Sequence, residues 1–142
     1  MDKEMKVQTM TDVMSSFISF VGKKLPDDVE EKLSYLRKGE TGALSKTIYD
    51  AMAKNQELAM DLNRPCCQDT GVLQFWVKCG SGFPLIGELE EILTNAVVDS
   101  TKKTPLRHNS VETFDEYNTG KNVGKGTPTV FWDIIPDRDD VE

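Results

Sequence analysis

The chain has 142 residues, 24 acidic against 17 basic, and a net charge of -7. That length predicts one domain that buries about 68–70% of the surface its unfolded chain exposes. The charge argues against a nucleic-acid backbone as partner, and any bound anion must be met by local, aimed cations. No apolar run approaches the ~20 residues needed to span a bilayer, and no signal peptide is read. With three cysteines, an odd number, a cytoplasmic, reducing compartment is expected, where thiols serve more often as ligands or reactive groups than as crosslinks.

In chain order, residues 1–10 are polar and without periodicity and are expected to fray. From Thr11, the residues Val13, Met14, Phe17, Ile18 and Val21 recur at helical spacing, with Gly22 as a stop. Pro26-Asp27-Asp28 opens a second helix, since proline suits the first turn and acids suit the positive end of the dipole. Val29, Leu33 and Leu36 are its expected buried stripe. A third helix, 43–62, carries Leu44, Ile48, Tyr49, Met52, Leu58, Ala59 and Leu62 on one broad face. The run 72–77 reads as a strand, 79–84 as turn chemistry, and 87–103 as an amphipathic helix with Leu89, Ile92, Leu93, Ala96 and Val97 inward. Residues 106–128 read mostly as loop, 129–135 as a strand, and 137–142 as an acidic tail. Helices outweigh strands and the strands come late, so the fold class is α+β, with N-terminal helices packed on a small sheet. Only two strands are legible, so more strand is expected either within 106–128 or outside this chain.

Chemistry concentrates between the third helix and the first strand. Asn63-Arg64-Pro65-Cys66-Cys67-Gln68-Asp69-Thr70-Gly71 places two thiols, an amide, a carboxylate and a hydroxyl in five consecutive residues. A short loop held between rigid elements is where function commonly sits.

From Cys67-Gln68-Asp69-Thr70-Gly71 onward, the chain resembles the iron–sulfur hydro-lyases, the group of class I fumarases and L(+)-tartrate dehydratases. The agreement runs through Phe83-Pro84-Leu85, Gly87-Glu88-Leu89 and Pro105-Leu106-Arg107-His108-Asn109. It continues in Phe114-Asp115-Glu116-Tyr117-Asn118-Thr119-Gly120-Lys121-Asn122 and Trp132-Asp133-Ile134-Ile135-Pro136, so it covers nearly everything after Leu62. The Pro-Leu-Arg-His-Asn and Tyr-Asn-Thr-Gly-Lys-Asn forms look more like the tartrate dehydratase alpha branch than the fumarases.

The resemblance implies a fold of the class I fumarase N-terminal type. It implies a 4Fe-4S cluster held by three cysteines, with the fourth iron open to substrate. Cys67 maps onto the first ligand, Gln68 and Asp69 onto residues facing a dicarboxylate hydroxy-acid, and Arg107 onto the arginine gripping a substrate carboxylate. Asp69 carries the proton-transfer role. A beta subunit and an oligomeric assembly are implied partners. The resemblance further implies that residues 1–142 are the N-terminal segment of a longer alpha chain, helical over 1–62 and α+β over 63–142. The remaining cluster cysteines would then lie elsewhere, leaving the isolated chain without a complete cluster or dehydratase activity. Its helices, without their partners, would expose apolar surface and self-associate.

The chemistry of the residue types agrees with these roles. Thiolates are the ligands such clusters require, and an open iron polarises a C–O bond. A placed acid–base group contributes about 10²–10⁴-fold to moving a proton. An arginine fork matches a carboxylate with two parallel hydrogen bonds, which lysine cannot reproduce.

Several blander readings stand beside these. Cys66 and Cys79 read as packing residues. Asp69 can cap a turn through local hydrogen bonds, and Arg107 can be a surface ion pair. His108, the single histidine, reads as a structural, hydrogen-bonded residue rather than a catalytic one. The run 120–126 lacks the spacing of a phosphate-binding loop. Cys66, Cys67, Cys79 and His108 match a zinc ligand count but not its paired spacing. A fumarate hydratase acting on malate and fumarate, and a non-catalytic module of the same fold, are the alternatives to the tartrate reading.

Overall fold

The computed structural model describes residues 2–67, 72–112 and 114–142. Its elements are α1 (Lys3–Lys23), α2 (Asp27–Gly39), α3 (Ala43–Asp61), β1 (Gln74–Gly80), α4 (Leu89–Lys103) and β2 (Thr129–Ile135). This is a helix-rich α+β arrangement. The two strands are parallel and pair in register from Gln74 opposite Thr129 to Gly80 opposite Ile135, with α4 in the crossover between them. Parallel neighbours require such a crossover, and a helix usually supplies it.

The core lies between α1, α4 and β1. Val77 and Cys79 of β1 pack on Leu89 and Leu93 of α4, joined by Met10 and Met14 of α1. A second cluster places Ile18 of α1 against Ala96 and Val97. Met14 and Phe75 belong to both, so the two clusters form one continuous layer. All five positions expected to face inward on α4 are buried.

The N-terminal helices depart from expectation. Residues 3–10 are helical rather than frayed, because the Asp2 carboxylate accepts from the Met5 amide at 2.8 Å and caps the first turn. On α1 the buried face holds Thr11, Ser15, Ile18 and Ser19, while Val13, Phe17 and Val21 are exposed. Small hydroxyl residues let α1 approach α4 closely and rotate the apolar stripe away from the core. No residue of α2 is buried, and on α3 only Ala59 is. Leu44 is 75% exposed. The apolar faces predicted there exist, but among the described residues they are left largely uncovered.

Among the described residues, 106–128 contributes only isolated bridges, Val111 with Asn118 and Gly124 with Thr127. The acidic tail supplies the extra pairing instead. Lys78 and Glu142 exchange two backbone hydrogen bonds at 3.0 and 2.8 Å, and the Gly80 amide donates to Asp140. The tail therefore runs antiparallel along the edge of β1 opposite β2. Gly80 permits this approach, since a Cβ there would collide with the Arg138 carbonyl. Arg138 then pins the tail by donating to the carboxylates of Asp140 and Glu142.

Candidate functional site

The approach to Cys67 is built from the end of α3. The Arg64 amide donates to the Ala59 carbonyl at 2.9 Å and the Asn63 amide to Met60 at 3.4 Å, with Asn63 at a φ of 51°. That is a Schellman closure with asparagine at the left-handed position, which Asn tolerates better than most residues. The Asn63 side chain then gathers the ends of two more helices. Its Oδ1 accepts from Lys23 Nζ at 2.8 Å and from Thr104 Oγ1 at 3.4 Å, and its Nδ2 donates to the Lys103 carbonyl at 2.7 Å. Cys66 is fixed on both sides of its backbone: its amide donates to Gly22 O at 3.0 Å and its carbonyl accepts from Asn55 Nδ2 at 2.6 Å. Cys67 leaves this anchored residue exposed to solvent.

Val72 and Leu73, where the chain is described again, line a cleft of about 220 Å³. Ile18, Val21 and Gly22 of α1 form one wall, and Leu106, Arg107, Asn109 and Asn122 complete it. Apolar walls with a few convergent polar groups are the usual make-up of a small-molecule site. Gly22 links the two halves, because its carbonyl holds Cys66 and a Cβ added to it would stand 3.2 Å from Leu106 Cδ2. The end of α1 thus holds the approach to Cys67 and the segment carrying Arg107 side by side. Gln68 and Asp69, expected to face a ligand, lie outside the described residues, as do Thr70 and Gly71.

The Arg107 segment is strapped from behind. Asn122 is buried, with a φ of 57°; its Oδ1 accepts from the Asn109 amide at 2.9 Å and its Nδ2 donates to Thr101 Oγ1 at 3.2 Å. Asn118 Nδ2 donates to the His108 carbonyl at 2.8 Å, while Asn118 Oδ1 accepts from the Gly120 amide. His108 is therefore held through its backbone, in keeping with a structural role. Asn118 and Asn122 fall within the run that reads as loop. Their signal was present: two asparagines flanking Thr-Gly-Lys supply both a left-handed turn and side-chain amides that bond backbone.

The other thiols behave as packing groups. Cys79 is fully buried, and burial followed by the nearby Asp140 charge pushes its thiol pKa up. Burial, then Cys67, pushes the half-buried Cys66 up as well. Both shifts favour the thiol over the thiolate, as suits a packing role. Among the described residues no three His, Cys, Asp or Glu side chains converge as a metal site.

A family model described as fumarate hydratase (Fumerase) matches residues 11–142. The chain is 52% identical over 141 residues to the "L(+)-tartrate dehydratase subunit alpha" of Escherichia coli K12, covering 99% of this chain and 46% of that protein. Proteins of the same description from Shigella boydii and Escherichia coli O157:H7 match to the same identity and extent. The chain spans about half the length of the curated relatives it matches. The match to the family model reaches from the first half of α1 through the cleft to the tail on β1, and on it the chain belongs to the fumarate hydratase (Fumerase) family.

Proposed function

We propose that this chain is the N-terminal segment of the alpha subunit of an iron–sulfur L(+)-tartrate dehydratase, which converts tartrate to oxaloacetate. The 52% identity along 99% of the chain to relatives carrying that description favours tartrate over the malate–fumarate reaction. Residues 1–62 form its helical part and residues 63–142 an α+β part with the ligand loop, in the manner of a class I fumarase N-terminal region. The compartment is the cytoplasm. The observation that carries the reading is the shared cleft: Arg107 lines it together with Gly22, which also anchors the residue before Cys67.

Cys67 suits a cluster ligand in exposure and chemical type. One thiolate does not hold a 4Fe-4S cluster, Cys79 is sealed in the core and Cys66 is tied back through its backbone, so the other ligands come from polypeptide beyond these residues. When bound, the cluster supplies a Lewis-acidic iron for the departing hydroxyl. The chain's own residues do the rest. Arg107 clamps one substrate carboxylate, Gln68 hydrogen-bonds the hydroxy-acid, and Asp69 exchanges the proton on the neighbouring carbon. Elimination thus removes hydroxide from one carbon and a proton from the next. Asn122 and Asn118 hold the backbone of the two residues after the arginine, Asn109 and His108, which limits the reorganisation the clamp needs to meet its ligand.

The uncovered faces of α1, α2 and α3 suit contacts with a beta subunit or a second alpha chain. The test is to assemble this chain anaerobically with the remainder of a tartrate dehydratase alpha subunit and its beta subunit, and to assay L(+)-tartrate and malate. Tartrate turnover that exceeds malate turnover supports the reading. Turnover of malate alone identifies a fumarate hydratase, and turnover of neither points to a non-catalytic module.

A further inference from the structure

Among the described residues the sheet is covered on one side, over β1 and the start of β2 at Val130. Parallel strands are ordinarily buried on both faces, and here both faces carry large apolar side chains. Trp76 and Phe131 point away from the core and stack on each other, with centroids 5.2 Å apart and rings 16° from parallel. They are 70% and 45% exposed. Trp132 and Ile134 lie on the core side of β2, opposite Val77 and Cys79, yet both are exposed because the core reaches β2 only at Val130.

Among the described residues the edge of β1 is open in the same place. Lys78 and Gly80 turn their amides toward the tail. Backbone groups along a strand alternate between its two neighbours, so those of Trp76 and Gln74 face the same edge. Pairing with the tail runs from Gly80 to Lys78, where Glu142 sits. The next antiparallel pair falls at Trp76, beside a cleft of about 450 Å³ that Trp76, Phe131, Trp132 and Glu142 line.

We propose that this edge and aromatic face are the docking surface for the polypeptide that makes up the rest of the alpha-subunit length in the relatives. It enters as an extended strand antiparallel to β1, continuing the ladder of residues 140–142 past Trp76 and covering the stacked rings. The relatives are long enough to supply it, since this chain spans 46% of their length. Adding a strand to an exposed edge satisfies the backbone groups and seats alternate side chains in pockets. A second copy fits the edge poorly: Asp140 and Glu142 lie along it and the chain carries a net charge of -7, so two copies repel there. The proposal rests on the family's length and not on the dehydratase reading.

The experiment uses the two tryptophans, Trp76 and Trp132, both on this sheet. The chain is produced together with a separate polypeptide carrying the remainder of the Escherichia coli L(+)-tartrate dehydratase alpha subunit, and acrylamide quenching of tryptophan emission is measured. A stable one-to-one complex, with quenching reduced several-fold and emission shifted to the blue, is expected. Trp76→Lys weakens the complex on the order of tenfold or more, as loss of a central aromatic anchor does, while the variant chain alone keeps its circular dichroism spectrum. No complex, a complex whose tryptophans stay open to quencher, or the same protection from self-association of the chain alone would overturn the proposal. A protected complex that turns over no tartrate sinks the dehydratase reading and leaves this surface standing.

Discussion

The α1–α4–β1 layer and the α2–α3 hairpin have similar apolar content and opposite fates. On α4, every apolar position of the stripe is buried against β1 or α1. On α2 none is buried, and the hairpin is joined by an exposed ion pair, Arg37 with Asp50. Exposed pairs of that kind add about 0–1 kcal/mol. An amphipathic pattern therefore guarantees a helix with a sticky face, not the identity of what covers it. The cleft sits where the finished layer meets the end of α1, so it inherits the rigidity of the layer rather than the openness of the hairpin.

The largest effect that sharpens this contrast is expected in the assembled enzyme. Arg107→Lys should lower kcat/KM for tartrate on the order of 100-fold, because a point charge does not replace a bidentate fork. Steady-state kinetics on the assembled complex reads it, and an unchanged value would remove Arg107 from the substrate. In the chain alone, Leu93→Ala opens the finished layer and should cost about 2–5 kcal/mol, whereas Leu36→Ala on α2 should cost under about 1 kcal/mol. Urea unfolding separates the two, and equal losses would erase the distinction between the regions. Asn122→Ala leaves the Asn109 amide without its acceptor and puts alanine at a positive φ, a loss of about 1–3 kcal/mol. Faster amide exchange at Asn109 should accompany it.

The smallest effect is in the tail. Hydrogen bonding from Arg138, followed by desolvation that partly opposes it and the arginine's charge, holds the Asp140 carboxyl below its ordinary value of 3.8. A lowered folded-state pKa means the contribution is fully present above that ordinary value and is lost as pH falls through the depressed one. Exchange of the Lys78 and Gly80 amides, which the tail protects, should quicken in that acidic window, while amides of α4 stay protected. Tail and helix loosening together would show that the tail belongs to the finished layer.

Much of this was legible in the sequence because it rests on local chemistry. The inward stripe of α4 and the bounds of β2 follow from spacing, and Cys79 followed its expected burial. The start of α1 was not read, because a single Asp2 cap outweighs a polar composition. The rotation of its stripe was hidden by Ser15 and Ser19, whose burial reflects close helix approach rather than hydrophobicity. Of the site, the residue types and their placement near Cys67 and Arg107 could be argued beforehand. The asparagines were legible as turn residues but their distant partners were not, since Asn63 and Asn122 act between segments some forty and twenty residues apart, respectively. Spacing along the chain does not say which distant group such an amide will meet.

Anaerobic reconstitution with iron and sulfide, followed by visible absorption and iron content, tests most directly whether Cys67 is an iron anchor. The assembled complex should take up one 4Fe-4S cluster, Cys67→Ser should lose it, Cys66→Ser should keep it, and this chain alone should hold none. A full cluster on the Cys67→Ser complex, or a stoichiometric one on the isolated chain, would contradict the account.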